Sequence, residues 1–396
     1  MKLLVRAPKV FVSKQCILTL RRILLLDSGK LLAAIMDRGK SSGRSLAAQN
    51  NKIYMDLKDI IREHSLSFLP AKSLSRFNAV CRDWRFQISS PFFAHSQSFY
   101  CRGTSGFFLQ TPWGSPSLIS IDPSCCGVPD PLLKFLPEPV DIRSSSNGLL
   151  CCQGREGDKV YYICNPVTQQ WKKLPESNVN HGPDPAIMLV FEPSLLNFVA
   201  EYKIICAFPS TDFGDAIEFD IYSSKENTWE VAGEIHFGAT GRPMPKSGVH
   251  VNGVAYWMTI TGGILAFNPT KERSQLIPNY DPHVILGNYS GKLCRANVSG
   301  NSITLLTLDN IHSNTMEMGS RAQMWAQKHR VVLDSKIVGD VSGLYSILHV
   351  DSDILVVQKG GKAFLYDFKS RATKCLPDGF HNFKPIPAAE LQLTEY

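Results

Sequence analysis

Residues 161–175 read YYICNPVTQQWKKLP: an apolar strand, a polar turn opened by Asn-Pro, a short second strand and a closing Leu-Pro. The pattern recurs as LAFNPTKERSQLIP over 265–278 and as FLYDFKSRATKCLP over 364–377. EFDIYSSKENTWEV, residues 218–231, is a copy without the proline, and ISIDP with LLKFLP, ending at Pro137, reads as a first copy. The closing prolines stand at 137, 175, 278 and 377, and the two long gaps each have room for one further unit. One of these holds Trp229, the other LLTLDN and MWAQKHRVVL. A period of about 40–55 residues with about four strands is that of a propeller blade.

Working outward, the remaining strand signals agree. GLLCCQG, AIMLVFEP, EYKIICAF, AIEFDIYSS, GVHVNGVAYWMT, SITLLTLD and YSILHVDSDILVVQKGG are apolar or alternating runs bounded by turn residues. A helical turn is read only near Met324–Gln327. Gly262–Gly263, Gly360–Gly361 and Asp351-Ser-Asp353 read as turns. The expected fold class is mainly β. It is a β-propeller-like repeat domain of six blades, or seven, over residues 100–396, preceded by a small all-α module over 52–98. A blade cannot cover its own faces, so neighbours must stack; Trp171 and Trp229 suit the packing between blades.

The helical module opens at Asp56–Glu63, with acids in the first turn, and Phe68-Leu69-Pro70 closes that helix. A second helix is expected to present Leu74, Phe77, Cys81, Trp84 and Ile88 as one continuous face, at spacings of 3, 4, 3 and 4. Ser89-Ser90-Pro91 ends it, and Phe92-Phe93 adds an apolar anchor. Such a short module buries little alone. Taken alone, the stripe fits a helical cap on the β domain or a docking element.

Residues 1–51 form a basic leader and linker. Residues 1–45 hold ten Lys and Arg against Asp27 and Asp37, so most of the formal net charge of +7 sits there and the rest of the chain is near neutral. That distribution argues against a nucleic-acid-binding body. The leader reads as a poorly ordered tail, an organelle-targeting segment or upstream codons outside the true reading frame start. No run of about 18 apolar residues marks a membrane span. Eleven cysteines with no C-x-x-C pair suit free buried thiols better than disulfides or zinc. No P-loop, G-x-G-x-x-G after a strand, H-E-x-x-H or G-x-S-x-G occurs. No catalytic residue, metal ligand or cofactor is therefore expected.

Three stretches carry a resemblance: DIIREHSLSFLP (59–70), KSLSRFNAVCRDW (72–84) and ISSPFFAH (88–95). Together they resemble the F-box, in the form common in large plant families; His64 departs from its usual aliphatic residue. SSNGLLCC (145–152), YYICNPVTQQWKKLP and HVNGVAYW (250–257) resemble the kelch-like, F-box-associated β domain.

The resemblance implies a substrate-recognition subunit of an SCF-type cullin ubiquitin ligase. Its F-box would dock a Skp-type adaptor, and through it the cullin scaffold, while the β domain binds a protein target. The family's adaptor-contact positions fall on Leu69, Pro70, Leu74, Phe77, Val80, Cys81 and Trp84, with Phe77 and Trp84 the expected hot spots. The chain would do no bond chemistry itself, and it would act in nucleus or cytoplasm, with organelle targeting by the leader left open. The alternatives are a propeller scaffold unconnected to ubiquitin and a propeller enzyme. Target-binding residues are not readable; loops at 176–184, 209–215, 238–247 and 310–322 are the candidates.

Overall fold

The computed structural model describes residues 66, 69, 71–90, 93, 104–110, 114–121, 128–157, 159–182, 184–192, 201–238, 241–279, 281, 284–300, 302–309, 324–338, 345–377 and 386–389. The chain divides into two units, Met1–Leu69 and Pro70–Tyr396. Of the first, only Leu66 and Leu69 are described; both are buried, and Leu69 N–H donates to the Leu66 carbonyl at 3.0 Å. The expected helix at Asp56–Glu63 and residues Phe68 and Pro70 lie outside the described residues.

The second unit begins with α1 (Ala71–Phe77) and α2 (Arg82–Ile88). They correct the expectation of one continuous helix. The chain tightens after Phe77: Ala79 N–H reaches the Arg76 carbonyl and Val80 N–H the Phe77 carbonyl, both three residues back. Cys81 is then extended (φ −156°, ψ 166°) and acts as the N-cap of α2, its Sγ accepting from Trp84 N–H at 3.5 Å. The stripe is thus broken at Cys81.

Strands then dominate. Five four-stranded antiparallel blades follow in chain order. Blade 1 holds β3 (Val140–Ser146), β4 (Leu149–Gly154), β5 (Tyr161–Asn165) and β6 (Gln170–Lys173). Blade 2 holds β7 (Ala186–Phe191), β8 (Tyr202–Pro209), β9 (Ala216–Ser223) and β10 (Thr228–Phe237). Blade 3 holds β11 (Val249–Val251), β12 (Val254–Met258), β13 (Ile264–Asn268) and β14 (Arg273–Ile277). Blade 4 holds β15 (Ile285–Tyr289), β16 (Lys292–Ser299), β17 (Ser302–Asp309) and β18 (Met324–Val331). Blade 5 holds β19 (Ser346–Val350), β20 (Ile354–Lys359), β21 (Lys362–Asp367) and β22 (Thr373–Cys375).

A further sheet joins the two ends of the domain. In it β1 (Thr104–Leu109) pairs with β2 (Ser117–Ser120) on one side and with β23 (Ile386–Ala389) on the other. The blade count therefore departs from expectation: five four-stranded blades and a three-stranded closing sheet, where six or seven blades were expected. The physical reason lies in residues 128–139, VPDPLLKFLPEP, which carry four prolines where a fourth strand would run. Proline cannot donate to a ladder. The segment instead buries Leu133 and Leu136 against Phe108 and Val140. Met324–Gln327, expected as a helical turn, is the start of β18.

The first strands of the blades, β3, β7, β11, β15 and β19, neighbour one another in turn, and β23 lies beside β3. Alternating strand positions face opposite seams. Ile187, Leu189 and Phe191 join blade 1, whereas Ala186 and Met188 join blade 3. Six apolar layers result, including those of the closing sheet with blade 5 and blade 1. At the seam of blades 2 and 3, Phe219 stacks on Phe267 with centroids 3.9 Å apart. This is why strands such as LLCCQG read as unbroken apolar runs: both faces are covered.

The repeated polar turn has one chemistry. Asn165 Oδ1 accepts from Val167 N–H, Asn268 Oδ1 from Thr270 N–H and Asp367 Oδ1 from Ser370 N–H. In each case, and after Ser223, the residue four positions on has positive φ: Gln169, Asn227, Glu272 and Arg371. In blades 1, 3 and 4 the turn between the first two strands is instead a two-residue hairpin with positive φ at both positions: Asn147-Gly148, Asn252-Gly253 and Ser290-Gly291.

Candidate docking surfaces

Two surfaces stand out. The first is built by α1 and α2. Leu74 and Ile88 are fully buried, and Phe93 nearly so. Phe77 and Trp84 are half-buried and meet edge to face, centroids 5.3 Å apart. Cys81 is exposed. Val80 is 49% exposed, and Phe86 is 82% exposed. Of the expected contact residues, then, Leu69 and Leu74 are interior, Phe77 and Trp84 form a half-open aromatic pair, and Val80 and Cys81 reach solvent; Pro70 is outside the described residues. Phe86 went unnoticed because it lies off the 3–4 stripe. Its signal was a large apolar residue at a position where an exposed helix face should be polar. Exposed apolar side chains on a short helical module, beside a half-open aromatic pair, suit docking to a partner and not bond chemistry.

The second surface is one end of the propeller. Each blade has four antiparallel strands, so the turns joining its first to second and third to fourth strands lie at one end. The turns joining second to third strands, and the links between blades, lie at the other. The first end is polar and internally satisfied. Asn147 Nδ2 donates to the Phe191 carbonyl at 2.6 Å, and His250 lies 3.3 Å from Glu192. Asn252 Nδ2 donates to the Gly291 carbonyl at 2.7 Å, Ser290 N–H to Ser352 Oγ at 2.8 Å, and Thr104 Oγ1 to Asp351 at 2.9 Å. These bonds step from blade 1 to blade 5 and on to the closing sheet.

The opposite end is different. Nine large apolar residues of the described propeller are exposed, and six of them (Phe213, Phe237, Met244, Ile260, Val332 and Ile337) lie there. At its inner edge Arg143 sits at a bulge in β3, donates to Gln153 at 2.9 Å and pairs with Asp184. Arg155 pairs with Asp141 at 2.8 Å. Lys246, on the link between blades 2 and 3, lies near these groups; burial and then Arg143 push its pKa down. Three of the candidate target-binding loops, 176–184, 209–215 and 238–247, lie at this end; 310–322 is outside the described residues.

Among the described residues, the blade 1–2 seam holds a buried polar network with a catalytic look. His181 Nε2 is 2.8 Å from Asp220 Oδ2 and its Nδ1 is 3.1 Å from Tyr161 Oη. Ser177 Oγ donates to the same Asp220 oxygen at 2.7 Å. The serine therefore bonds the carboxylate rather than the imidazole, and both ring nitrogens are engaged. A nucleophile–base pair needs the serine on the histidine. The network reads as a latch between blades. Trp229, also at this seam, is buried and contacts Tyr161 and His181, whereas Trp171 is exposed against Tyr162. Only the first of the two tryptophans packs between blades.

Among the described residues no three His, Cys, Asp or Glu side chains gather as a metal site requires. Seven described cysteines are free, five of them buried; Cys81 and Cys375 are exposed. Burial raises the pKa of Cys151, Cys206 and Cys294, which keeps those thiols protonated and unreactive.

Comparison with known proteins places these features. Residues 133–282, which span blades 1 to 3, match the family model for the β-propeller of F-box protein At3g26010-like proteins. The chain is 27% identical to F-box protein At5g49610 of Arabidopsis thaliana, over 81% of this chain and 93% of that protein. It is 24% identical to F-box protein At5g07610 of the same plant, over 88% of this chain and 94% of that protein. F-box/kelch-repeat protein At5g43190, also of Arabidopsis, is 29% identical over 55% of this chain and 53% of its own length. Residues 133–282 thus match the β-propeller of At3g26010-like F-box proteins, and over more than four fifths of its length the chain is similar to F-box proteins of Arabidopsis.

Proposed function

We propose that the chain is the substrate-recognition subunit of an SCF-type ubiquitin ligase. The α1–α2 module docks a Skp-type adaptor, which links the chain to a cullin scaffold, and the propeller holds a protein target. The observation that carries this reading is the exposure of Val80 and Phe86, with the half-open Phe77–Trp84 pair, on the α1–α2 module of a chain that is similar to F-box proteins. Catalysis is then by proximity: the receptor raises the local concentration of target lysines near the ubiquitin-carrying enzyme. No side chain of this protein need form or break a bond.

Co-purification of the full chain with a Skp-type adaptor tests this. Wild type should retain adaptor, and the combined Leu69, Pro70 and Trp84 alanine variant should lose it. Equal recovery by both would point to a scaffold without a ubiquitin connection.

A further inference from the structure

The proposed function leaves open which propeller surface meets the target. The exposed apolar residues are concentrated on consecutive loops of blades 2 and 3. Phe213, on the β8–β9 turn, meets Phe237, at the end of β10, edge to face with centroids 5.3 Å apart. Two aromatic rings that cover each other yet stay 47% and 61% exposed are not serving the core. Residues 242–244 of the link that follows are paired along the next blade: Pro243 bridges Thr259, Met244 N–H donates to the Met258 carbonyl and Ile260 N–H to the Arg242 carbonyl. That pairing holds Met244 and Ile260 out to solvent, the latter 64% exposed. A preformed surface binds without a large ordering cost.

Charge is distributed in a definite order along these loops. Asp212 and Asp215 flank Phe213, all three exposed. Arg242 and Lys246 flank Met244. None of these four charges forms an ion pair among the described residues. The acids are on the β8–β9 turn of blade 2, on either side of Phe213, and the bases on the link into blade 3, on either side of Met244.

Resting on the receptor reading, we infer that this surface binds an extended target segment with an apolar centre, a basic residue at one end and an acidic residue at the other. The basic end faces Asp212 and Asp215; the acidic end faces Arg242 and Lys246. The neighbourhood of Lys246 strengthens the second contact. Arg143 and Arg155 act on Lys246 together with Asp141 and Asp184, so three cations face two carboxylates and an incoming acid meets a net positive cluster.

The test uses the full chain and four fluorescent dodecapeptides. Three share one apolar centre and carry basic–acidic, acidic–acidic or basic–basic ends; the fourth has bipolar ends and a serine centre. The bipolar apolar peptide should bind at least tenfold more tightly than the other three. Phe213→Ser with Phe237→Ser should lower that affinity at least tenfold, while Trp171→Ser and Val231→Ser, at exposed positions elsewhere on the propeller, should not. Asp212→Lys with Asp215→Lys should shift the preference to acidic–acidic ends.

Equal binding of all four peptides, or loss of affinity in the Trp171 and Val231 variants alone, would overturn the inference. A concentration-dependent dimer abolished by the phenylalanine substitutions, without peptide binding, would overturn it in favour of a second copy. Adaptor recovery by the same variants separates this outcome from failure of the receptor reading: the surface can fail while adaptor is retained, and the adaptor can be absent while the peptides still discriminate.

Discussion

The indole N–H of Trp229 donates to the carbonyl of Pro175 at 2.9 Å, so the Leu-Pro that ends one repeat is pinned by the tryptophan of the next. Leu174 is buried in the same seam with Tyr161 and Tyr222. The repeat visible in the sequence is therefore a seam device. Blade 1 ends by delivering an apolar residue and a carbonyl to its neighbour, and Ile277 and Leu376, before the closing prolines of blades 3 and 5, are likewise buried in seams.

Trp229→Phe keeps most of the apolar contact and strands the carbonyl. It should cost about 1–2 kcal/mol, the usual cost of an unmet buried acceptor. Trp229→Ala should cost about 3–5 kcal/mol, as large-to-small core changes do. Trp171→Ala should stay within about 1 kcal/mol, because that ring is exposed. Urea midpoints at constant m-value check all three.

Gly287 sits on β15, one of the strands that face their neighbours in the ring. A Cβ there would press into Val350 of β19, with Val350 Cγ1 at 2.7 Å and its carbonyl closer still. Backbone on one side leaves no side-chain escape. Gly287→Ala should destabilise the fold by about 1–3 kcal/mol, the range for overpacking. A thermal midpoint equal to wild type would show that the blade 4–5 seam is looser than its geometry.

Asp351 ties blade 5 to the closing sheet through Thr104 and to its own turn through the N–H groups of Asp353 and Ile354. Burial works to raise its pKa, but the bond from His349 and those backbone bonds outweigh it and hold the carboxyl below its usual range. A depressed carboxyl pKa contributes stability that is present above the unfolded value, about 3.9, and is lost as pH falls through the folded value. Wild type should therefore lose stability below about pH 4 more steeply than Asp351→Asn, which should be weaker at pH 7 and flatter in acid. Urea midpoints at pH 7 and pH 3.5 give the comparison.

The parts of this fold that were legible in sequence share one physical property. Strands covered on both faces, such as those at Ala186–Phe191 and Tyr202–Pro209, are nearly continuous apolar runs. The turns read at Asp351–Asp353 and Gly360–Gly361 are the two turns flanking β20, whereas GVHVNGVAYWMT, read as one run, is split into β11 and β12 by Asn252-Gly253, both with positive φ. Strand β16 was missed because Arg295 and Asn297 interrupt it; Arg295 lies 4.4 Å over the ring of Trp325, which no local pattern reveals. The closing sheet was illegible for another reason. Its strands come from residues 104–120 and 386–389, so it has no local period.

The helix pair shows the complementary failure. A 3–4 stripe from Leu74 to Ile88 suggested one helix, but Cys81 is the cap between two. The break changes which side chains are presented: Phe86, off the stripe, is 82% exposed, while Leu74 and Ile88, on it, are fully buried. In the candidate docking surface, periodicity located the buried half and missed the open half.

The α1–α2 module is the surface proposed to bind a Skp-type adaptor. The most direct measurement is the affinity of full-length chain for purified adaptor, by biolayer interferometry, for wild type and for Val80→Asp with Phe86→Asp. Both positions are exposed, so unchanged near-ultraviolet circular dichroism is expected and serves as the folding control. The predicted result is wild-type binding that weakens at least tenfold in the double variant, about 1.4 kcal/mol or more. Equal affinity of the two proteins, or no measurable binding by wild type, would contradict it.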